Sequence, residues 1–191
     1  LQQKVLEDGD WIEIGETFLR FRTIKVAPST ADDVTGALSV VPIVEQALRR
    51  LADIAPSTVS VLLLGESGVG KEVAARMIHE LSGRAGTFVA VNCAGLVETL
   101  AAATLFGHRR GAYTGAIDDR PGAIRTAHAG TLLLDEIADL PLATQGTLLR
   151  VLQEREVVPV GETAPVPIDV RFIAATHKDL EREVEAGRFR V

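Results

Sequence analysis

Gly65-Glu66-Ser67-Gly68-Val69-Gly70-Lys71-Glu72 meets the spacing G-x-x-x-x-G-K that a protein uses to grip a phosphate chain. Three glycines let the backbone turn tightly and aim successive N–H groups at an anion, and the start of a following helix adds partial positive charge. Lys71 then stands where its ammonium can reach the terminal phosphates of a nucleotide. Glu72 takes the place of the Ser or Thr whose hydroxyl usually touches magnesium, so the metal must find another ligand. The same residues would also suit a glycine-rich turn, with Lys71 as a solvated surface charge.

Two acids answer the question of the metal. Asp135 and Glu136 follow the apolar run Thr131-Leu132-Leu133-Leu134. One can hold magnesium, through water where no hydroxyl is offered, while the other orients the water that attacks a phosphoryl group; Lys71 and the metal stabilise the developing charge. The plainer alternative is a helix start decorated with acids to match its dipole. Asn92 follows Val89-Ala90-Val91, where its amide could hold Glu136 in a resting orientation, or could simply form a turn. Thr176 and His177 close the run 171–175, where a hydroxyl and an imidazole could sense a γ-phosphate, or could be a cap beside a surface histidine. His79 and His128 stand apart from other metal-ligating residue types.

These residues need a scaffold that brings their positions to one edge. Val59–Leu64, Phe88–Val91, Thr131–Leu134 and Val170–Ala175 are short, nearly continuous apolar runs, as in strands buried on both faces. Helix-like segments lie between them: Val73–Leu81, about Val97–Phe106, and Ala143–Glu154. An earlier helix is marked by Ile43, Val44, Ala47, Leu48, Leu51 and Ile54, and is stopped at Pro56-Ser57. The expectation is an α/β core in three layers with a mostly parallel sheet, whose ligands sit at the carboxyl ends of the strands. Every candidate named above falls at such an end.

The first 26 residues differ. Trp11 to Gly15 and Phe18 to Arg22 alternate apolar with polar around Gly15-Glu16-Thr17, which predicts a β-hairpin. Ala27–Leu38 lacks apolar periodicity and reads as a linker, so the expected division is 1–26, 27–38 and a main domain over 39–191. At 191 residues and a formal charge of −6, the chain can bury a substantial core but offers no broad basic face for nucleic acid. No apolar run has the length of a membrane span and no signal pattern opens the chain, so a soluble, cytoplasmic protein with no membrane contact is expected. The lone Cys93 excludes an internal disulfide framework.

Phe106-Gly107-His108-Arg109-Arg110-Gly111-Ala112-Tyr113-Thr114-Gly115-Ala116 is not explained as mere connection. An aromatic ring bracketed by glycines suits a contact point for a partner, and equally a flexible loop with Tyr113 folded back on the surface.

Taken together, the 65–72 loop, Phe106-Gly107-His108, the stretch Gly111–Ala116 and Gly130-Thr131-Leu132-Leu133-Leu134-Asp135-Glu136-Ile137 resemble the AAA+ domain of sigma-54-dependent transcription activators, the bacterial enhancer-binding proteins. The similarity spans about residues 40–190. The resemblance implies a P-loop ATPase, with ATP and Mg2+ as cofactors, that works as a hexameric or heptameric homo-oligomeric ring and remodels sigma-54 RNA polymerase holoenzyme. The rivals are an AAA+ remodeller with a different client, and an interaction module that binds nucleotide without hydrolysing it.

Residue by residue, the resemblance gives Gly65, Glu66, Ser67, Gly68, Val69, Gly70, Lys71 and Glu72 to nucleotide binding, together with Thr176 and His177. Glu72 after the lysine is the family's own choice. Asp135 holds the metal, Glu136 orients water, and Asn92 restrains Glu136. The family's Gly-Ala-Phe-Thr-Gly-Ala loop, which contacts sigma-54, matches Gly111, Ala112, Tyr113, Thr114, Gly115 and Ala116, with Tyr in place of Phe. Its sensor Ala-Thr-Asn matches Ala175-Thr176-His177, with His in place of Asn. Arg190 matches the first of the arginines inserted into a neighbouring subunit's site. The second arginine, the helical lid and a DNA-binding helix-turn-helix are expected to be absent from this sequence, which implies weak or no hydrolysis by this chain alone. Asp8–Gly15 and Phe18–Phe21 are similar to the last strands of a forkhead-associated domain.

Overall fold

The computed structural model describes residues 49–190, together with the strands β1 (Trp11–Ile14) and β2 (Thr17–Arg20). The chain divides into two compact units, Leu1–Leu38 and Ser39–Val191. In the first, β1 and β2 pair antiparallel, Trp11 opposite Arg20 and Ile14 opposite Thr17. Thr17, expected in the turn, therefore opens the second strand. The stretch read as a linker and residues 43–48 of the first expected helix lie outside the described residues; residues 49–54 of that helix are helical and are labelled α1.

The second unit is built on a four-stranded sheet in the order β3 (Val61–Leu64), β8 (Arg171–Thr176), β5 (Thr131–Asp135), β4 (Phe88–Asn92). Every pairing in it is parallel, Leu64 beside Thr176 and Asn92 beside Asp135. The two central strands are almost wholly buried, as their unbroken apolar runs require. Alternate side chains leave β5 on opposite faces. Leu133 joins Ile173, Ala175 and the inner face of α2 (Lys71–Leu81) at Ala75 and Ile78. Leu132 and Leu134 join a larger cluster with Leu105 and Phe106 of α3 (Glu98–Phe106), Ile124 of α4 (Gly122–Thr126), and Leu148 and Val151 of α5 (Leu142–Glu154). Helices thus cover both faces, giving the expected three layers.

Arg171 is the exception in an apolar strand. It is 1 % exposed, and its guanidinium donates to the carbonyls of Ile54, at 3.0 Å, and Ala55. Carbonyls at a helix end lack partners within the helix, so a charged donor from the sheet ties the end of α1 to β8. Sequence periodicity also missed α4, the two-residue strands β6 (Glu156–Val157) and β7 (Val166–Pro167), and α6 (Leu180–Glu185). The last has no buried residue, but Asp179 caps it by accepting from the N–H groups of Glu181 and Arg182. Among the described residues no helix is long and apolar enough to cross a membrane.

Candidate active site

The strand register brings the candidates together. β3 ends at Leu64, and Gly65 N–H donates to the Thr176 carbonyl across the sheet edge at 3.2 Å. The chain then passes through Gly70, whose φ of 95° lies in the left-handed region open to glycine, and α2 begins at Lys71. No side chain caps α2, so its first N–H groups have no side-chain partner at the end of the helix that borders the cleft through Gly70, Lys71 and Glu72. Lys71 Nζ folds back on the loop, donating to the carbonyls of Gly65 at 2.8 Å and Glu66 at 3.1 Å, and lies 3.7 Å from Glu136 Oε1. Glu72 forms an exposed ion pair with Arg76 one turn on, at 2.8 Å.

Opposite the loop stand Asp135, the last residue of β5, and Glu136, whose backbone adopts φ 51° and ψ 50°. A non-glycine residue there is uncommon and strained, and such strain gathers at functional positions. Glu136 Oε2 accepts from His177 Nδ1 at 2.8 Å, and from Thr176 Oγ1 and His177 N–H at 3.3 Å each. Burial pushes the Glu136 carboxyl up, but the His177 hydrogen bonds and charge, with Lys71 behind them, outweigh it and hold the group below its ordinary value.

Ser67, Gly68, Gly70, Lys71, Glu72, Asn92, Asp135 and Glu136 line a cleft of about 440 Å³, within the range of small-ligand sites. One carboxylate at the strand end, with no cluster of three protein ligands among the described residues, suits magnesium, which keeps its waters and takes the rest of its shell from phosphates. The residues present therefore fit a magnesium nucleotide.

Asn92 lines the cleft, but its side-chain oxygen accepts from Ala94 N–H at 3.0 Å and caps the turn Cys93–Gly95. Among the described residues Glu136 takes its hydrogen bonds from Thr176 and His177. Arg190, matched to an arginine that serves a neighbouring subunit's site, stands away from the cleft of its own chain. Its N–H donates to Gln145 Oε1 at 2.9 Å, and its guanidinium lies over Gly146 of α5, where a side chain would crowd it. Gln145 is buried and also donates to the carbonyls of Leu140 at 2.7 Å and Arg188 at 3.1 Å, so it clamps the segment that carries Arg190. A glutamine on the apolar face of α5 was the signal for this clamp.

The 106–116 stretch leaves the core at the end of α3. His108 and Arg120 exchange backbone hydrogen bonds at 2.9 and 2.8 Å, and Val160 N–H donates to the Gly107 carbonyl. Arg109 pairs with Asp119 and Glu162. At the base Gly107 and Gly122 cross so closely that a Cβ on either would strike the backbone of the other strand of the loop. Beyond it, Gly111 N–H bonds to Ala116 and Ala116 N–H to Tyr113, making a tight tip. Tyr113 is half-buried with its ring edge-on to the buried His108, centroids 5.1 Å apart; Thr114 and Gly115 are exposed.

A family model described as the Sigma-54 interaction domain matches residues 37–191. The Sigma54-dependent transcriptional activator SfnR of Pseudomonas putida is 49% identical over 175 residues, covering 90% of this chain and 48% of its own length. The response regulator protein FleR of Pseudomonas aeruginosa is 49% identical over 164 residues, covering 85% of this chain and 34% of its own. NtrX from Brucella abortus in complex with ATP superposes with a TM-score of 0.72 at 38% identity, over 81% of this chain and 33% of that one. The chain spans about half or less of the length of these relatives.

Proposed function

The chain belongs to the sigma-54 interaction domain family, and on that premise we propose that it is the ATP-hydrolysing part of a sigma-54-dependent transcription activator. The observation that carries this reading is the convergence of the 65–72 loop, Asp135, Glu136 and His177 on one edge of a parallel sheet. The ATP held by NtrX supports the choice of nucleotide.

In this reading the N–H groups at the start of α2 and the ammonium of Lys71 bind the phosphates. Lys71 exchanges its two carbonyl partners for phosphate oxygens. Bound magnesium would neutralise charge on the transferring group, and Asp135 is the residue that would hold it. Glu136 orients and polarises the attacking water. Arg190 lies away from its own cleft, so its charge serves the cleft of a neighbouring copy in a ring, and isolated copies hydrolyse slowly. The 111–116 tip meets sigma-54 through Tyr113 and Thr114, and nucleotide-dependent movement of the loop remodels the holoenzyme. The N-terminal hairpin is the end of a forkhead-associated regulatory domain, joined by the 27–38 linker.

The test is retention of sigma-54 by the chain in the presence of ADP and aluminium fluoride, a stand-in for the hydrolysis transition state. Retention that needs both the nucleotide analogue and Tyr113 supports the reading. ATP hydrolysis with no retention would assign the chain to another client.

A further inference from the structure

Gln145 and Gly146 are neighbours on α5, and Arg190 uses both: Gln145 Oε1 accepts from its backbone N–H, and its guanidinium lies over Gly146. We propose that the pair forms a seat that presents Arg190 to a neighbouring copy, and that Gln145 is a positioning residue for hydrolysis in that copy's cleft. The proposal rests on the reading of Arg190 as a residue that serves a neighbour's cleft.

The amide of Gln145 is wholly engaged. Its NH2 group donates to the carbonyls of Leu140 and Arg188, at 2.7 and 3.1 Å, and its oxygen accepts from Arg190 N–H at 2.9 Å. A buried amide is tolerated where such partners meet it, and packing alone would be served by an apolar side chain. Leu140 is itself buried and closes the turn Ile137–Asp139 that follows Glu136, so the amide ties the arginine segment to the end of β5. Gly146 answers for the guanidinium. The helix passes through it without the left-handed φ that favours glycine, and glycine inside a helix is less stable than alanine. A Cβ there would lie 3.2 Å from Nη1 and 3.6 Å from Cζ of Arg190, so the absent side chain is the space the guanidinium fills.

What the seat leaves free is as specific as what it holds. Arg188 is committed, its guanidinium bonded to both carboxylate oxygens of Glu183 at 2.8 Å each. The N–H groups of Arg188 and Phe189 both go to the Glu183 carbonyl, and Phe189 packs against the core. Arg190 is exposed, and among the described residues its guanidinium has no hydrogen-bond or ionic partner. A fixed backbone carrying an unpaired, charged fork is preorganised for an anion that its own chain does not supply. The phosphoryl group in transfer in an adjacent cleft is such an anion, since charge spreads over its oxygens. Ordering the segment in advance removes part of what that contact would otherwise cost.

The experiment uses mixed oligomers of the full-length protein. Lys71→Ala supplies an intact Arg190 beside a disabled cleft, and Arg190→Ala supplies an intact cleft without the arginine, so mixing the two should recover ATP turnover that neither has alone. Gln145→Leu is then added to one kind of copy at a time. In the Lys71→Ala copies, which donate the arginine, it should lower the recovered turnover by roughly ten- to a hundredfold, the cost of misplacing a positioned group by about an ångström, and far less in the Arg190→Ala copies. Gly146→Ala in the donating copies should lower turnover by a smaller factor while the melting temperature holds or rises, because alanine favours the helix. Equal losses from Gln145→Leu in either kind of copy, or none in the donating copies, would overturn the positioning role. No recovery in the first mixture would instead overturn the service of Arg190 to a neighbour. Hydrogen exchange of the Arg190 amide, protected in the wild type and unprotected in Gln145→Leu, would still decide whether Gln145 holds the segment.

Discussion

The cleft and the 107–120 loop handle polar groups in opposite ways. In the cleft, Asp135, Glu136 and His177 stand at the ends of parallel strands whose register is fixed by buried neighbours, and Lys71 is held by the loop's own carbonyls. In the loop, the base is held by the His108–Arg120 pairing and the ion pairs of Arg109, while the tip bonds to itself, Gly111 to Ala116 and Ala116 to Tyr113, and the Tyr113 ring rests against His108. Chemistry on a phosphate needs atoms that stay put, whereas a contact that does work on a partner needs a segment that can leave its seat. The two regions join through the turn Cys93–Gly95 and α3, one end of which is capped by Asn92 while the other opens into Gly107.

The largest effect should come from the fixed region. Glu136→Gln is expected to slow ATP hydrolysis by about 10²–10⁴-fold, the usual worth of a positioned acid–base group, while a fluorescent nucleotide still binds. Lys71→Ala should weaken nucleotide affinity by roughly a hundredfold, measured by calorimetry, because a charged donor to phosphate is worth about 1.5–3 kcal/mol. Tyr113→Ala should leave hydrolysis within about twofold of wild type yet abolish retention of sigma-54; retention unchanged would erase the distinction between the two regions.

The smallest effect is on stability against pH. The folded-state carboxyl of Glu136 is held below its ordinary value of 4.5, so its contribution is present above that value and is lost as pH falls through the lower, folded-state one. Urea melts of wild type and Glu136→Gln should therefore differ most near neutral pH, begin to approach each other below about 4.5, and converge only below the lower folded-state value.

Most of this plan was legible in the sequence, because it rests on signals that are local in the chain. The apolar runs announced buried parallel strands, and the spacing of glycines and lysine announced the phosphate loop. What was not legible depends on neighbours distant in sequence. Asn92 and His177 lie 85 positions apart, and the strand order brings both to the flanks of the strand that carries Glu136, where the hydrogen bonds go to His177. Arg171 looked like the edge of an apolar run, and only the placement of α1 gives its charge two carbonyls. The strands β6 and β7 are too short for any periodicity, yet they carry the Val160 and Glu162 contacts that brace the loop base.

Cys93 has a consequence for anyone wishing to watch the loop move. It is the only cysteine, 1 % exposed, and burial together with Asp135, Asp139 and Glu136 pushes its thiol up to about 12. At neutral pH about one molecule in 10⁵ would carry a thiolate there, and a maleimide reacts with the thiolate. A second cysteine introduced at the exposed Thr114 would therefore take a dye alone, without first deleting the native one. The wild-type core thus already serves as a silent background for single-site spectroscopy of the tip.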